Sequence, residues 1–173
     1  MKNVLTARLL AWALMLAIPF WFGSCKKDSD DAVTPNAIEG TWRISGLKIS
    51  PGADLLGTGQ KVTDLIAYLN ALPNGLGADI VTCLTTTTIT FNSNGRITSK
   101  DGQKCTSATG DLAEIEDNST WKLEGTKLTL TDNSGSEVYD VAQSGNTLKL
   151  STSAQEDYGD GLKTYTTTIE MTR

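Results

Sequence analysis

The carboxylates of this 173-residue sequence include one tight group, Glu114, Glu116 and Asp117, that could in principle move protons in a reaction. No neighbouring nucleophile, base or oxyanion motif accompanies the group, and the sequence contains no histidine. The usual catalytic base and the commonest metal ligand are therefore absent from the sequence. We interpret the group as a solvated loop and expect no enzyme, no metal site and no cofactor. The run DNSGSE at 132–137 has its glycine in the wrong position for a calcium loop and predicts a hairpin turn.

A cysteine, Cys25, stands where an apolar N-terminal stretch gives way to a charged one. A basic start, an apolar run over residues 9 to 22 and two small residues precede it. This order is typical of a secretory signal peptide. As a helix the run covers about 21 Å, less than the roughly 30 Å of a bilayer core. We therefore expect residues 1–24 to be a signal peptide and not a membrane anchor.

The residues around Cys25 resemble a bacterial lipobox, although Phe22 stands where that pattern favours leucine. The resemblance implies that Cys25 carries lipid after cleavage behind Ser24, and two or three acyl chains hold a protein firmly to a membrane. It predicts a lipoprotein of the cell envelope, anchored to the outer membrane on its periplasmic or surface face. The alternative is an ordinary signal peptide with Cys25 left as a free thiol. Residues 25–37 are charged and low in hydrophobicity, which predicts a flexible tether.

With Cys25 assigned to lipid, Cys83 and Cys105 remain as one pair in an exported protein. We expect them to form a disulfide. Closing a loop of this length stabilises a chain by roughly 3 kcal/mol in the chain-entropy model. The alternative is two buried free thiols.

The charge balance excludes one class of partner. The full sequence has a formal net charge of −5, which becomes −7 without residues 1–24, because that segment holds two basic residues and no acidic one. An acidic chain without a basic stripe is not typical of nucleic-acid binding.

The sequence pattern of residues 38–173 predicts an all-β domain. From residue 119 onward, short alternating segments are separated by glycines at 125, 135 and 145, which predicts a β-meander. GTWRISGLKI predicts a first strand, and LTTTTITF and RITS, on either side of NSNG, predict a hairpin. Between them, KVTDLIAYLNALPNG has apolar residues at helical spacing and predicts one inserted helix after strand one. About eight antiparallel strands favour a closed up-and-down barrel, because closure removes exposed edges; a two-sheet sandwich is the alternative.

The segment IEGTWRI at 38–44 resembles the G-x-W opening of lipocalin-type barrels, and TFNSNGRI and STWKLEGTKLTLT resemble the lipocalin-like domain of secreted bacterial lipoproteins. The resemblance covers roughly residues 38–173. It implies that an arginine late in the last strand packs across the tryptophan of the first, and Arg173 and Trp42 are the matching positions. A guanidinium over an indole contributes about 0.5–2 kcal/mol. The alternative is that Arg173 is frayed.

Two functions follow from such a barrel. In the first, a small hydrophobic or amphipathic ligand lies against inward aromatic side chains, for which the sequence offers Trp42, Phe91, Trp121, Tyr139 and Tyr165. In the second, side chains fill the barrel, and the domain is a non-enzymatic accessory or protein-interaction module that contacts an envelope partner. We favour the first because of the resemblance.

Overall fold

The computed structural model describes residues 33–55, 57–106 and 119–173. The signal peptide, Cys25, most of the tether and the acidic group at 114–117 lie outside these ranges. Residues 33–37 do lie within them. Val33 packs against the core, and helix α1 (Pro35–Ile38) precedes the first strand, so the boundary expected between tether and barrel falls inside this helix.

Nine strands make one antiparallel sheet in the described part of the chain. They are β1 (Gly40–Ala53), β2 (Val62–Asp64), β3 (Thr88–Phe91), β4 (Ile97–Lys100), β5 (Thr120–Glu124), β6 (Lys127–Thr131), β7 (Ser136–Ser144), β8 (Thr147–Glu156) and β9 (Lys163–Thr172). The order is β4-β3-β1-β9-β8-β7-β6-β5, and β2 is an extra strand on β1. This order confirms the predicted up-and-down arrangement of eight strands.

Strands β4 and β5 meet at the remaining gap and nearly close the barrel. The amide of Ile97 donates to the carbonyl of Ser119 at 2.8 Å, and the amide of Trp121 donates to the carbonyl of Gly95 at 2.8 Å. The lone bridge between Arg96 and Thr120 joins the two strands at the same place. These contacts join the two strands where β5 begins, so the barrel is nearly closed.

The meander follows the predicted turns. Gly125, Gly135 and Gly145 all have positive φ, at 62°, 151° and 56°, and each lies between two paired strands. The DNSGSE turn is closed by Asp132, whose carboxylate accepts hydrogen bonds from the amides of Ser134 at 2.7 Å and Gly135 at 3.0 Å. The prediction of a hairpin in place of a calcium loop is confirmed at this position.

The prediction of a single inserted helix was wrong. Val62–Asp64 form β2 instead of a first helical turn, and the Asp64 carboxylate accepts a hydrogen bond from the amide of Ala67 at 2.9 Å. This N-cap starts helix α2 at Leu65, and α2 ends at Ala71, just before an extended residue and Pro73. A 3₁₀ turn (Pro73–Gly75) then leads to a second helix, α3 (Ala78–Thr86).

Helix α3 includes residues that the sequence predicted as strand. A run of threonines favours β structure because its side chains are β-branched. Here the hydroxyls of Thr85, Thr86 and Thr87 donate to carbonyls four residues earlier at 2.6–2.8 Å, a bond that helices accommodate. Burial of Leu84 in the barrel core provides the packing that overrides the local preference. In the described part of the chain, no helix is both long and apolar enough to span a bilayer.

Candidate functional site

The base of the barrel is closed by the first and ninth strands together. The indole of Trp42 is fully buried and donates to the carbonyl of Ile38 at 2.7 Å. The guanidinium carbon of Arg173 lies 4.5 Å from the centroid of that indole, and Nη1 of Arg173 donates to the carbonyl of Glu39 at 3.1 Å. The pair thus links helix α1, strand β1 and strand β9 at one end of the barrel.

Four of the five aromatic residues expected to line a ligand belong to the filled core of the barrel. Trp42, Phe91, Trp121 and Tyr139 are at most 8% exposed and lie in one hydrophobic cluster. Phe91 and Trp121 pack edge to face with centroids 5.8 Å apart. The Trp121 indole donates to the carbonyl of Asn92 at 3.0 Å, and the Tyr139 hydroxyl donates to Glu137 at 2.6 Å. Their rings and polar atoms are therefore already engaged within the protein.

The fifth aromatic residue, Tyr165, lies higher in the barrel. It is buried, packs edge to face against Tyr158 at 4.8 Å, and donates to the Asp160 carboxylate at 3.0 Å. Burial, followed by this bond to an anion, raises the pKa of the Tyr165 hydroxyl. Tyr165 is thus held as a neutral hydrogen-bond donor.

Asp160 joins two parts of the chain near Tyr165. Its carboxylate accepts hydrogen bonds from the ammonium groups of Lys163, at 2.6 Å, and Lys61. These bonds, with that of Lys163 the strongest, hold the pKa of Asp160 well below its ordinary value, and the bond to Asp160 raises the pKa of Lys61. The carboxylate therefore ties the β8–β9 hairpin to the segment before β2.

Burial on the inner face decreases over three successive rows from the base, below the buried Tyr165. Neighbouring strands β1, β9 and β8 place residues in register, so that three successive inward rows can be compared. The rows, from the base upward, are Ile44–Met171–Leu148, Leu47–Ile169–Leu150 and Ile49–Thr167–Thr152. Every residue of the first row is buried, Leu47 of the second is half-buried, and all three residues of the third are half-buried.

We call the upper inner surface of Leu47, Ile49, Thr152 and Thr167 the mouth. It combines two aliphatic side chains with two hydroxyls, which is a surface suited to a molecule with an apolar part and a polar part. An irregularity in the β1–β9 pairing between Ile44 and Gly46 brings Leu47, and not residue 46, to the inner face. Strict alternation from Trp42 would have placed Leu47 and Ile49 outside, which is why the sequence did not indicate these two residues.

Helix α2 begins at the level of the mouth, and helix α3 packs against it. Asp64, directly before α2, pairs with Lys48 on β1, and Ile66 and Leu69 of α2 pack partly buried against the core cluster. The two helices approach closely at Gly77, where an added Cβ would lie 2.2 Å from the carbonyl oxygen of Leu69. Only a residue without a side chain permits this contact.

A disulfide between Cys83 and Cys105 holds α3 to the loop after β4. The same loop is fixed by Lys104, whose ammonium lies 2.6 Å from the Asp79 carboxylate. Gly102 packs so tightly on the end of α3 that an added Cβ would lie 2.4 Å from the carbonyl oxygen of Cys83. The helical cover beside the mouth is therefore anchored at its far end.

The described residues contain no group of three or more histidine, cysteine or acidic side chains that could hold a metal ion. The chemistry that the mouth offers is non-covalent: aliphatic contact and hydrogen bonding by hydroxyls.

Comparisons with known proteins agree with the barrel architecture. A family model described as a lipocalin-like domain matches residues 38–150, more than half of the chain. No curated protein and no solved structure matches the chain. The matched segment holds the G-x-W residues of β1, both helices, the disulfide and strands β3 to β7, and the chain belongs to the family of lipocalin-like domains.

Proposed function

We propose that this chain is an envelope lipoprotein, anchored through lipid on Cys25, whose lipocalin-like barrel binds a small amphipathic molecule at the mouth. The lipobox-like residues before Cys25 support the anchor, and the family supports a non-enzymatic binding fold.

The observation that carries the ligand proposal is the change in burial along the three inward rows. The base is filled by residues such as Trp42 and Met171 at 0% exposure, and a ligand has no room there without displacing core side chains. The mouth residues Ile49, Thr152 and Thr167 are only half-buried. Covering their aliphatic surface would stabilise a complex by about 25 cal/mol per Å² of apolar area removed from water.

This position differs from the one that the aromatic residues predicted. Trp42, Phe91, Trp121 and Tyr139 are packed into the hydrophobic core, and the ligand contacts the half-buried aliphatic and hydroxyl side chains of the mouth. We therefore expect substitutions at the mouth to change binding, and substitutions of these four aromatics to change stability first.

Native mass spectrometry of the full chain, as its host processes it and released from a mild detergent, tests the ligand proposal. We expect a non-covalent adduct of small-molecule mass that is lost on denaturation. Thr167→Trp fills the mouth and should abolish the adduct. Thr168→Trp is the matched control, because this adjacent threonine faces outward and its hydroxyl lies 2.9 Å from that of Ser151; it should keep the adduct. A bare mass for the wild-type chain, or equal adducts in both variants, contradicts the proposal.

The anchor is tested by Cys25→Ser. We expect the wild-type chain to incorporate radiolabelled palmitate and to fractionate with membranes, and the variant to lose the label. Labelling of the variant at the wild-type level would contradict lipidation at Cys25. Protease added to intact cells then distinguishes the surface face, where the domain is cut, from the periplasmic face, where it is protected until lysis.

A second function, an accessory module that binds an envelope protein through its outer surface, is favoured by the filled base of the barrel. The side chains of the core cluster leave the lower half without space for a ligand. A bare mass in native spectrometry, together with a crosslinked envelope partner, would favour this function over ligand binding.

A further inference from the structure

Most lysines of this acidic protein lie close to a carboxylate, whereas a few of its positively charged side chains do not. In the described part of the chain, seven lysines lie within 4.0 Å of a carboxylate: Lys48, Lys61, Lys104, Lys122, Lys127, Lys149 and Lys163. Four cations there have no carboxylate partner, namely Arg43, Arg96, Lys100 and Arg173. Arg173 instead contacts the Trp42 ring.

Two of the unpaired cations face the same cleft on the outside of the barrel. Arg43 pairs in register with Thr88 of β3, and Thr88 pairs with Lys100 of β4. The three side chains therefore form one outward row, in which Arg43 and Lys100 stand two strand spacings, or roughly 10 Å, apart. This row lines a cleft of about 440 Å³, a volume in the range of small-molecule sites.

The opposite wall of the cleft is built from the end of α3 and the loop after β4. Thr85, Thr86, Asp101, Gly102 and Gln103 line it. The amide of Gly102 donates to the Thr87 hydroxyl at 3.1 Å, and the amide of Gln103 donates to the Thr86 hydroxyl at 2.7 Å. With the nearby disulfide at Cys105, these bonds fix the wall before any ligand arrives, which lowers the entropy cost of binding.

The groups of the cleft match a particular ligand chemistry. Arg43 and Lys100 supply two positive charges, and Asp101 supplies one negative charge, so the walls carry a net charge of about +1 and suit a monoanion. A guanidinium binds a carboxylate through two parallel hydrogen bonds. The hydroxyls of Thr85 and Thr86 donate to helix carbonyls, so their oxygens, like the Asp101 carboxylate, can accept hydrogen bonds from ligand hydroxyls.

We propose that this outer cleft binds an acidic sugar, with its carboxylate between Arg43 and Lys100 and its hydroxyls against Asp101, Thr85 and Thr86. The cleft lies on the outer face of the sheet, whereas the mouth lies on the inner face. The two sites are therefore independent, and the failure of either leaves the other unaffected.

The test is a titration of the full chain with D-glucuronate, followed by saturation-transfer NMR at low ionic strength. Glucose has the hydroxyls without the charge, and acetate has the charge without the hydroxyls. We expect glucuronate to bind more tightly than both. Since charged hydrogen-bond donors bind a carboxylate more strongly than neutral ones, Arg43→Gln with Lys100→Gln should weaken glucuronate binding by about tenfold or more.

Matched variants separate loss of the site from loss of the fold. Lys122→Gln with Lys127→Gln removes two exposed lysines on β5 and β6, so it changes the net charge equally and should leave glucuronate binding unchanged. Lys100→Arg keeps the charge and should retain binding. Equal glucuronate binding by the two double variants, or binding of acetate or glucose as tight as that of glucuronate, would overturn the proposal.

Discussion

Replacing Arg173 by alanine tests whether the contact at the barrel base stabilises the fold. The substitution removes a guanidinium that lies 4.5 Å from the centroid of the buried Trp42 ring and donates to the carbonyl of Glu39 at 3.1 Å. The backbone amide of residue 173, which donates to Asn146 at 3.2 Å, is retained. The change therefore isolates the side-chain contacts between the first and ninth strands.

The size of the effect follows from these two contacts. A cation–π contact contributes about 0.5–2 kcal/mol, and the hydrogen bond to Glu39 adds about 0.5–1.5 kcal/mol. Because Arg173 is exposed on its outer side, we take the lower half of the combined range, about 1–2 kcal/mol. For a domain of this size, that loss lowers the melting temperature by about 3–8 °C.

Thermal unfolding, followed by near-ultraviolet circular dichroism of the tryptophans, measures the effect. Arg96→Ala is the control, because Arg96 is also an exposed arginine without a carboxylate partner in the described chain, and its hydrogen bonds come from the backbone. Arg173→Lys keeps the charge but loses the planar fork, and should lie between wild type and Arg173→Ala. If Arg173→Ala melts at the wild-type temperature, the contact does not stabilise the base.

Three further predictions concern the helices, the disulfide and the Asp160 carboxylate. Gly77→Ala should destabilise the domain strongly, since its Cβ would lie 2.2 Å from a backbone oxygen, whereas Gly52→Ala, whose nearest contact is 3.0 Å, should cost much less; equal denaturation midpoints would refute this. Replacing Cys83 and Cys105 by alanine should lower the free energy of unfolding by about 3 kcal/mol; denaturation with and without reductant measures it, and a reductant-insensitive wild type would contradict it. The folded-state pKa of Asp160 is lowered, so its stabilisation is present above about pH 4 and is lost as the pH falls through the folded value. The melting temperature of wild type should therefore fall more steeply below pH 4 than that of Asp160→Asn, and parallel curves would contradict the prediction.

The sequence predicted the barrel because its turn and strand signals are local. Gly125, Gly135 and Gly145 mark the turns, and the alternation of Tyr165, Ile169 and their neighbours marks the inner face. Each of these signals depends on residues close together in the chain, so no tertiary information is needed to interpret them. The same is true of the hairpin at Gly95.

The two helices and the mouth could not be predicted from local sequence, because they depend on tertiary contacts. The threonines after Leu84 favour a strand by propensity, and only the burial of Leu84 and the hydroxyl bonds along α3 make them helical. The irregularity after Ile44 reverses which residues of β1 face inward. No local sequence signal predicts this irregularity. The register of Arg43 with Lys100 depends likewise on three strands pairing together.

Strand β1 separates β3 from β9, and seven pairs from Arg43–Thr172 to Ser50–Thr166 connect it to β9. The hairpins from β5 to β8 join strands that are neighbours in the chain. They can therefore form before the last strand, β9, is available. The β1–β9 ladder cannot, because its two strands lie at opposite ends of the domain, and bringing distant segments together makes folding slow. The domain therefore acquires its native state only after β9 has emerged, so that an incomplete chain exposes the inner faces of its hairpins and remains a substrate for chaperones and proteases until that last pairing occurs.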